Sequence, residues 1–337
     1  QRDFQTQIGK NHAKYFDQEG WLFFTRERFD LLYPSYGDTY PTFMGAIGMT
    51  YEQAGHGRAG LGINTDEGYE LTLVDRVAHH TTTGISTVEM GSKNAAKLNT
   101  EFKKFFTNDA LTYKSYVLQG HPDKIAQLTQ LLNKHEISYG YAGQGNVSGY
   151  HYTTADKGSM NTNGALVVST NQPKGKMIKV LFEPDASLEE PLTYDITAWS
   201  IPYAYGLEAV ASKTLVNATQ SKTLKSKENT NTTAAGFIAS WNTIKDARFL
   251  AALLQQNIKV RFTEKKIRFD GENFDRGSLV ITKSDNKGNL NFYQELNEIA
   301  NNHDRTLFAS NTTFGDTRTD MGSPDIKMIK APKIALL

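Results

Sequence analysis

Two stretches of this chain carry the same hydrophobic pattern, and that repeat limits the fold more than any other feature. Tyr116 to Tyr139 reads YVLQGHPDKIAQLTQLLNKHEISY and Phe237 to Val260 reads FIASWNTIKDARFLAALLQQNIKV. Each opens on an apolar run of strand type and continues through apolar residues at intervals of three and four. Each then closes its helix on a Leu-Leu pair shortly before a second strand. Pro122 stands at a first helical turn, where its missing N–H costs nothing. Downstream, GALVVST (Gly164 to Thr170) and GSLVIT (Gly277 to Thr282) occupy the same place in the two copies. The pattern predicts two α/β modules. A helix is expected from Lys174 to Phe182, and Tyr194 to Val210, with Asp195 and Trp199, is an aromatic-rich run. Gly143 to Gly149 reads as a turn, because it lacks the Lys-Ser/Thr ending of a phosphate loop. Lys213 to Ala235, rich in Thr, Asn, Ser and Lys, reads as a linker or exposed loop. Pro332 to Leu337 reads as a last apolar strand that stops abruptly, an expectation of further chain.

Ahead of the repeat lies a region of different character. Residues 3 to 19 have helical spacing of Phe4, Ile8, Tyr15 and Phe16 and end at Gly20, Trp21 to Thr25 reads as a strand, and Thr72 to Phe106 reads as one long helix or two short ones. Between them, Ala46 to Tyr51 is apolar and β-prone and runs into Glu52, after which glycines 55, 57 and 60 break the pattern. A strand that ends in a carboxylate before a Gly-rich loop is where an open α/β sheet keeps a general base. The plain alternative is a solvated surface Glu. His79 and His80 are adjacent, so on a helix they point about 100° apart and cannot share one metal; they read as structural.

Composition removes some classes of function. Lys plus Arg at 37 balances Asp plus Glu at 36, which offers no overall field to nucleic acid or anionic lipid. No apolar run is long enough for a membrane span. The chain has no cysteine, hence no disulfide, thiolate ligand or Cys nucleophile.

The string GAIGMTYEQAGHGRAGL, together with YGDTYP upstream of it, resembles the zinc carboxypeptidases of the carboxypeptidase A type, most closely their large bacterial members. The resemblance covers about the first third of the chain. It implies that Glu52 is the catalytic general base, that Tyr33 or Tyr36 is the mobile tyrosine, that Asp38 belongs to the specificity loop and that Arg58 braces the loop or contacts substrate. It further implies a bound zinc, a peptide or peptidoglycan-like substrate, and a secreted or periplasmic protein. The family's ligands are a His-x-x-Glu pair and a later His, and none of the eight histidines here has an acidic residue three positions on. The zinc ligands are therefore expected upstream, in another part of the same protein, and this chain is expected to be inactive alone.

The resulting expectation is an α/β protein in which 1–112 is the C-terminal part of a carboxypeptidase-type α/β domain. It is followed by a module at 113–235 ending in a polar linker and a second module at 236–337, truncated at its C-terminus. In the bacterial relatives that back region resembles an amidotransferase-like α/β arrangement; without Cys it has no glutaminase nucleophile. The alternative expectation is a non-catalytic binding or interaction protein, with α/β modules on a degenerate carboxypeptidase scaffold.

Overall fold

Helix α1 (Arg2–Glu19) stops where the sequence says it should, at Gly20, whose φ of 70° lets it take the left-handed C-cap. Gly20 belongs to a computed structural model that describes residues 1–26, 31–53, 60–186, 200–219 and 228–332. The structure is mixed α/β, and every described strand pairing in it is antiparallel. The chain divides into two units, Gln1–Lys222 and Thr223–Leu337.

The front of the first unit contains α1, the short α2 (Thr39–Phe43), a two-stranded sheet of β1 (Gly62–Asn64) and β2 (Glu70–Thr72), α3 (Leu73–Lys93) and α4 (Ala95–Phe105). Thr72 and Asp75 cap α3 reciprocally, which explains its start. Two expectations are corrected here. Trp21 to Thr25 is not a strand: it has no ladder partner, and Leu22 and Phe24 are 86% and 60% exposed. Ala46 to Tyr51 is also not a strand. Its run is held by the side chains of Gln1, Gln5 and Thr42 rather than by a neighbouring strand. Without that strand, the described residues up to 112 do not form the carboxypeptidase-type sheet.

The rest of the first unit is built from β3 (Ser115–Gln119), α5 (Pro122–Lys134), β4 (Gly140–Tyr141), β5 (Asn146–His151), β6 (Asp156–Asn161), β7 (Leu166–Ser169), α6 (Gly175–Phe182), α7 (Ile201–Tyr205) and β8 (Glu208–Ser212). The sheet order is β4-β7-β3-β8-β5-β6. With the β5–β6 hairpin set aside, this is the β-α-β-β-α-β order of a split βαβ unit. Side chains alternate as strands require: Tyr116 and Leu118 face α5 and α6 with Leu128, Leu132, Ile178 and Phe182, whereas Val117, Val167 and Val210 face Val147 and Met160. The hairpin thus covers the face that the helices leave bare.

The second unit repeats the plan with β9 (Gly236–Ala239), α8 (Ile244–Gln255), β10 (Arg261–Thr263), β11 (Ile267–Phe269), β12 (Glu272–Phe274), β13 (Leu279–Thr282), α9 (Phe292–Asn302), β14 (Phe308–Ser310) and β15 (Ile326–Met328). Its order, β14-β9-β13-β10-β15, contains the same central quartet. Phe237 and Ile281 pack with Phe249, Leu253 and Leu296, while Ile238 and Val280 meet Ile267 and Phe269 of the β11–β12 hairpin. The repeat in the sequence is therefore a repeat in the fold, down to the inserted hairpin.

The turn expected at Gly143 to Gly149 is corrected as well, since β5 begins at Asn146. Gly149 is there for space: a Cβ would come within 2.1 Å of the Ala211 carbonyl oxygen on the paired β8. The described ends of the expected linker are tied down, Thr219 by a bridge to Tyr141 and Asn229 by hydrogen bonds to Asn301 at 2.7 and 2.8 Å. Residues 220–227, Asp195, Trp199 and 333–337 lie outside the described residues.

Candidate functional site

Glu52 is exposed, in a stretch from Ile47 to Gln53 that belongs to no helix or strand. Gly48, Thr50 and Tyr51, which lead up to it, are anchored. Gln5 of α1 donates to the Gly48 carbonyl at 2.7 Å, and the Gly48 N–H donates to Thr42 Oγ1 at 3.0 Å. Gly48 must be glycine, because a Cβ would lie 1.8 Å from the Asp38 carbonyl oxygen. Thr50 donates its hydroxyl to Asp38 Oδ2. The Tyr51 hydroxyl is 2.8 Å from Thr87 Oγ1 on α3, and its ring meets His12 edge-on at 4.9 Å between centroids. After Glu52, Gln53 Oε1 lies 2.7 Å from His79 Nδ1.

The seam between α1 and α3 that receives this run is polar. His12 Nδ1 is 2.8 Å from the hydroxyl of Ser86, which is fully buried, and Asn11 donates to the same oxygen at 2.8 Å. Asn11 and Tyr15 also donate to Glu89 Oε2 at 2.8 and 2.9 Å, and Lys93 reaches Oε1 at 2.5 Å. Those hydrogen bonds, Lys93 foremost, hold the Glu89 carboxyl at about 2. Burial pushes the His12 and His79 imidazoles below their ordinary values and the Tyr51 phenol above its own. His79 sits between Trp21 and Phe16, with ring centroids 4.4 and 5.6 Å away. It is a packed histidine, as the sequence suggested.

Of the residues named from sequence, Asp38 is tied through Thr50 to the run that carries Glu52, and Glu52 itself is exposed. Tyr33 and Tyr36 pack edge-on at 5.2 Å in the turn before Asp38. Arg58 lies outside the described residues. A shallow cavity of about 370 Å³ adjoins Gln53 and is lined by Leu73, Arg76, Val77, His80 and Thr81. Among the described residues, no group of three or more His, Asp or Glu side chains is arranged to hold a metal ion. No described helix is long and apolar enough to cross a membrane.

Sequence reasoning passed over His12, Ser86 and Gln53. A clue was present in that α3 places His79, Thr83, Ser86 and Thr87 on one side and Val74, Val77, Ile85 and Val88 on the other. Helix α3 turns the polar side inward: Ser86 is buried, while those four apolar residues are 76%, 55%, 66% and 71% exposed. An amphipathic helix ordinarily does the reverse. No family model, curated protein or solved structure matches the chain.

Proposed function

We propose that this chain is part of a metallocarboxypeptidase-type hydrolase that removes residues from the C-termini of peptides or peptidoglycan-like peptides, with Glu52 as general base. The observation that carries the reading is the hydrogen bond from Thr50 to Asp38, which ties the loop bearing the candidate specificity residue to the run that ends in Glu52. In this reading the Glu52 carboxylate takes a proton from the attacking water and returns it to the leaving amine. Asp38 borders the substrate side chain, and the Tyr33 or Tyr36 phenol closes over the substrate. Arg58 steadies the loop after Glu52.

In this reading the outward apolar stripe of α3, with Val74, Val77, Ile85 and Val88 exposed and Ser86 buried, lies under another part of the protein. The zinc that the family uses as a Lewis acid does not fit any ligand set among the described residues. Its ligands belong, in this proposal, to parts of the protein outside them.

A second reading applies to the back of the chain. The two split βαβ modules close their own cores on both sheet faces, which favours binding or structural roles for them rather than a second chemistry. The test of the main reading is the metal content of the full-length protein alongside release of C-terminal amino acids from blocked peptides. About one zinc per chain and chelator-sensitive release are expected. Metal-free protein with no release contradicts the reading.

A further inference from the structure

Helix α2 links the Glu52 region to the module behind it. Its N-cap is Asp38, and its other side is set into the core of the first split βαβ module, where Tyr40, Phe43 and Met44 pack against the cluster containing Tyr116 and Phe182. Thr39 has no exposed surface. The Tyr40 hydroxyl lies 3.0 Å from Nδ1 of His135, the C-cap residue of α5, with the two rings 5.5 Å apart. Gln1 donates to the carbonyls of Thr42 and Ala46 at 2.7 Å each. The turn at Gly45, with φ of 95°, rests on the rings of Phe102 and Phe105 of α4. The helix and the turn after it are thus held by Gln1, by the rings of α4 and by the module.

We infer that the module from Ser115 to Ser212 sets the position of Asp38 relative to Glu52, with Tyr40 and His135 as positioning residues for substrate recognition. The inference rests on the general-base reading of Glu52. The path is short: His135 holds Tyr40, Tyr40 lies in α2, Asp38 is the residue on which α2 begins, and Asp38 accepts a hydrogen bond from Thr50 beside Tyr51 and Glu52. Hydrogen bonds weaken steeply outside a narrow range of length and angle, so a small shift of α2 breaks the link to Thr50. Neither Tyr40 nor His135 needs to touch substrate for this role.

The experiment uses the full-length protein with Tyr40→Phe and His135→Phe, each also in an Asp38→Ala background. Each single substitution is expected to raise KM about fivefold with kcat within about twofold, the size of one lost neutral hydrogen bond. In the Asp38→Ala background neither is expected to raise KM further, because the residue they act through is gone. A KM effect of the same size in both backgrounds overturns the inference. Amide exchange supplies a readout without turnover: the N–H groups of Met44, Ala46 and Gly48, bonded to Pro41 and Thr42, are expected to exchange about tenfold faster in both single variants, with β3 and β7 unchanged. Unchanged exchange at those amides also overturns it. Should Glu52→Gln retain turnover, the general-base reading falls by itself, and the exchange result alone then decides whether the module braces α2.

Discussion

Thr50 and Asp38 are joined by a side-chain hydrogen bond across 12 residues of chain, and Asp38 accepts a second at 3.1 Å from Thr39. Thr50→Val keeps the branched shape and removes the donor. The expected cost is about 0.5–1.5 kcal/mol in urea unfolding, the range of one solvent-exposed hydrogen bond. In the full-length protein KM is expected to rise with kcat little changed. Unaltered KM would separate Asp38 from substrate recognition.

Gly48 is the second contact between the same two segments. A methyl group there meets the Asp38 carbonyl oxygen at 1.8 Å and Thr42 Oγ1 at 2.4 Å, so the backbone of one segment must move. Gly48→Ala is expected to destabilise the chain by about 1–3 kcal/mol. Gly84→Ala, in α3 with nothing within 4 Å, is the control and is expected to stabilise by about 0.5–1 kcal/mol. Equal effects at the two positions would contradict the close approach.

His12 makes the α1–α3 seam sensitive to pH. Its Nε2 is buried without a partner, and burial lowers its pKa from 6.5. A group depressed in the folded state binds its proton first in the unfolded one. The contribution is therefore whole above about pH 6.5 and is lost as pH falls through the folded value. Melting temperature followed downward from about pH 8 is expected to drop more steeply for the wild type than for His12→Gln. Parallel curves would place the sensitivity elsewhere.

In the second unit, Arg305 Nη1 is 2.6 Å from Asp246 Oδ1, and both side chains are almost inaccessible. Asp246 also accepts the N–H groups of Asn242 and Thr243 at 2.8 and 2.7 Å. Arg305→Met leaves a buried carboxylate without its cation, and a loss of about 3–5 kcal/mol is expected. Amide exchange in β9 and β13 reads it out. Protection unchanged there would show that the pair contributes little.

How far the sequence could be read depended on where each segment finds its partners. The modules were legible because Tyr116, Val117 and Leu118 alternate between two apolar faces and Leu131-Leu132 marks the end of a helix, both local signals. Hairpin β5–β6 was not, since NVSGYH and DKGSMN are polar and Gly-rich and their pairing is set by β8 far along the chain. Ala46 to Tyr51 has strand composition, but the groups that hold it come from Gln1, Gln5, Thr42 and Asp38, so composition could not say what it pairs with. In the site, Glu52 and Asp38 were named from a residue string, whereas Tyr40 and His135 are 95 residues apart and no local pattern joins them. The polar inward side of α3 reverses the usual rule, and a reading by periodicity assigns that helix the wrong buried side.

Glu52→Gln in the full-length protein separates a general base from a solvated surface carboxylate. The exchange removes the proton acceptor and almost nothing else, since Glu52 is exposed. With Glu52 as general base, release of C-terminal residues from a blocked peptide is expected to fall by about 100-fold or more, the contribution of a positioned general base, with the melting temperature unchanged. Release at the wild-type rate would contradict it.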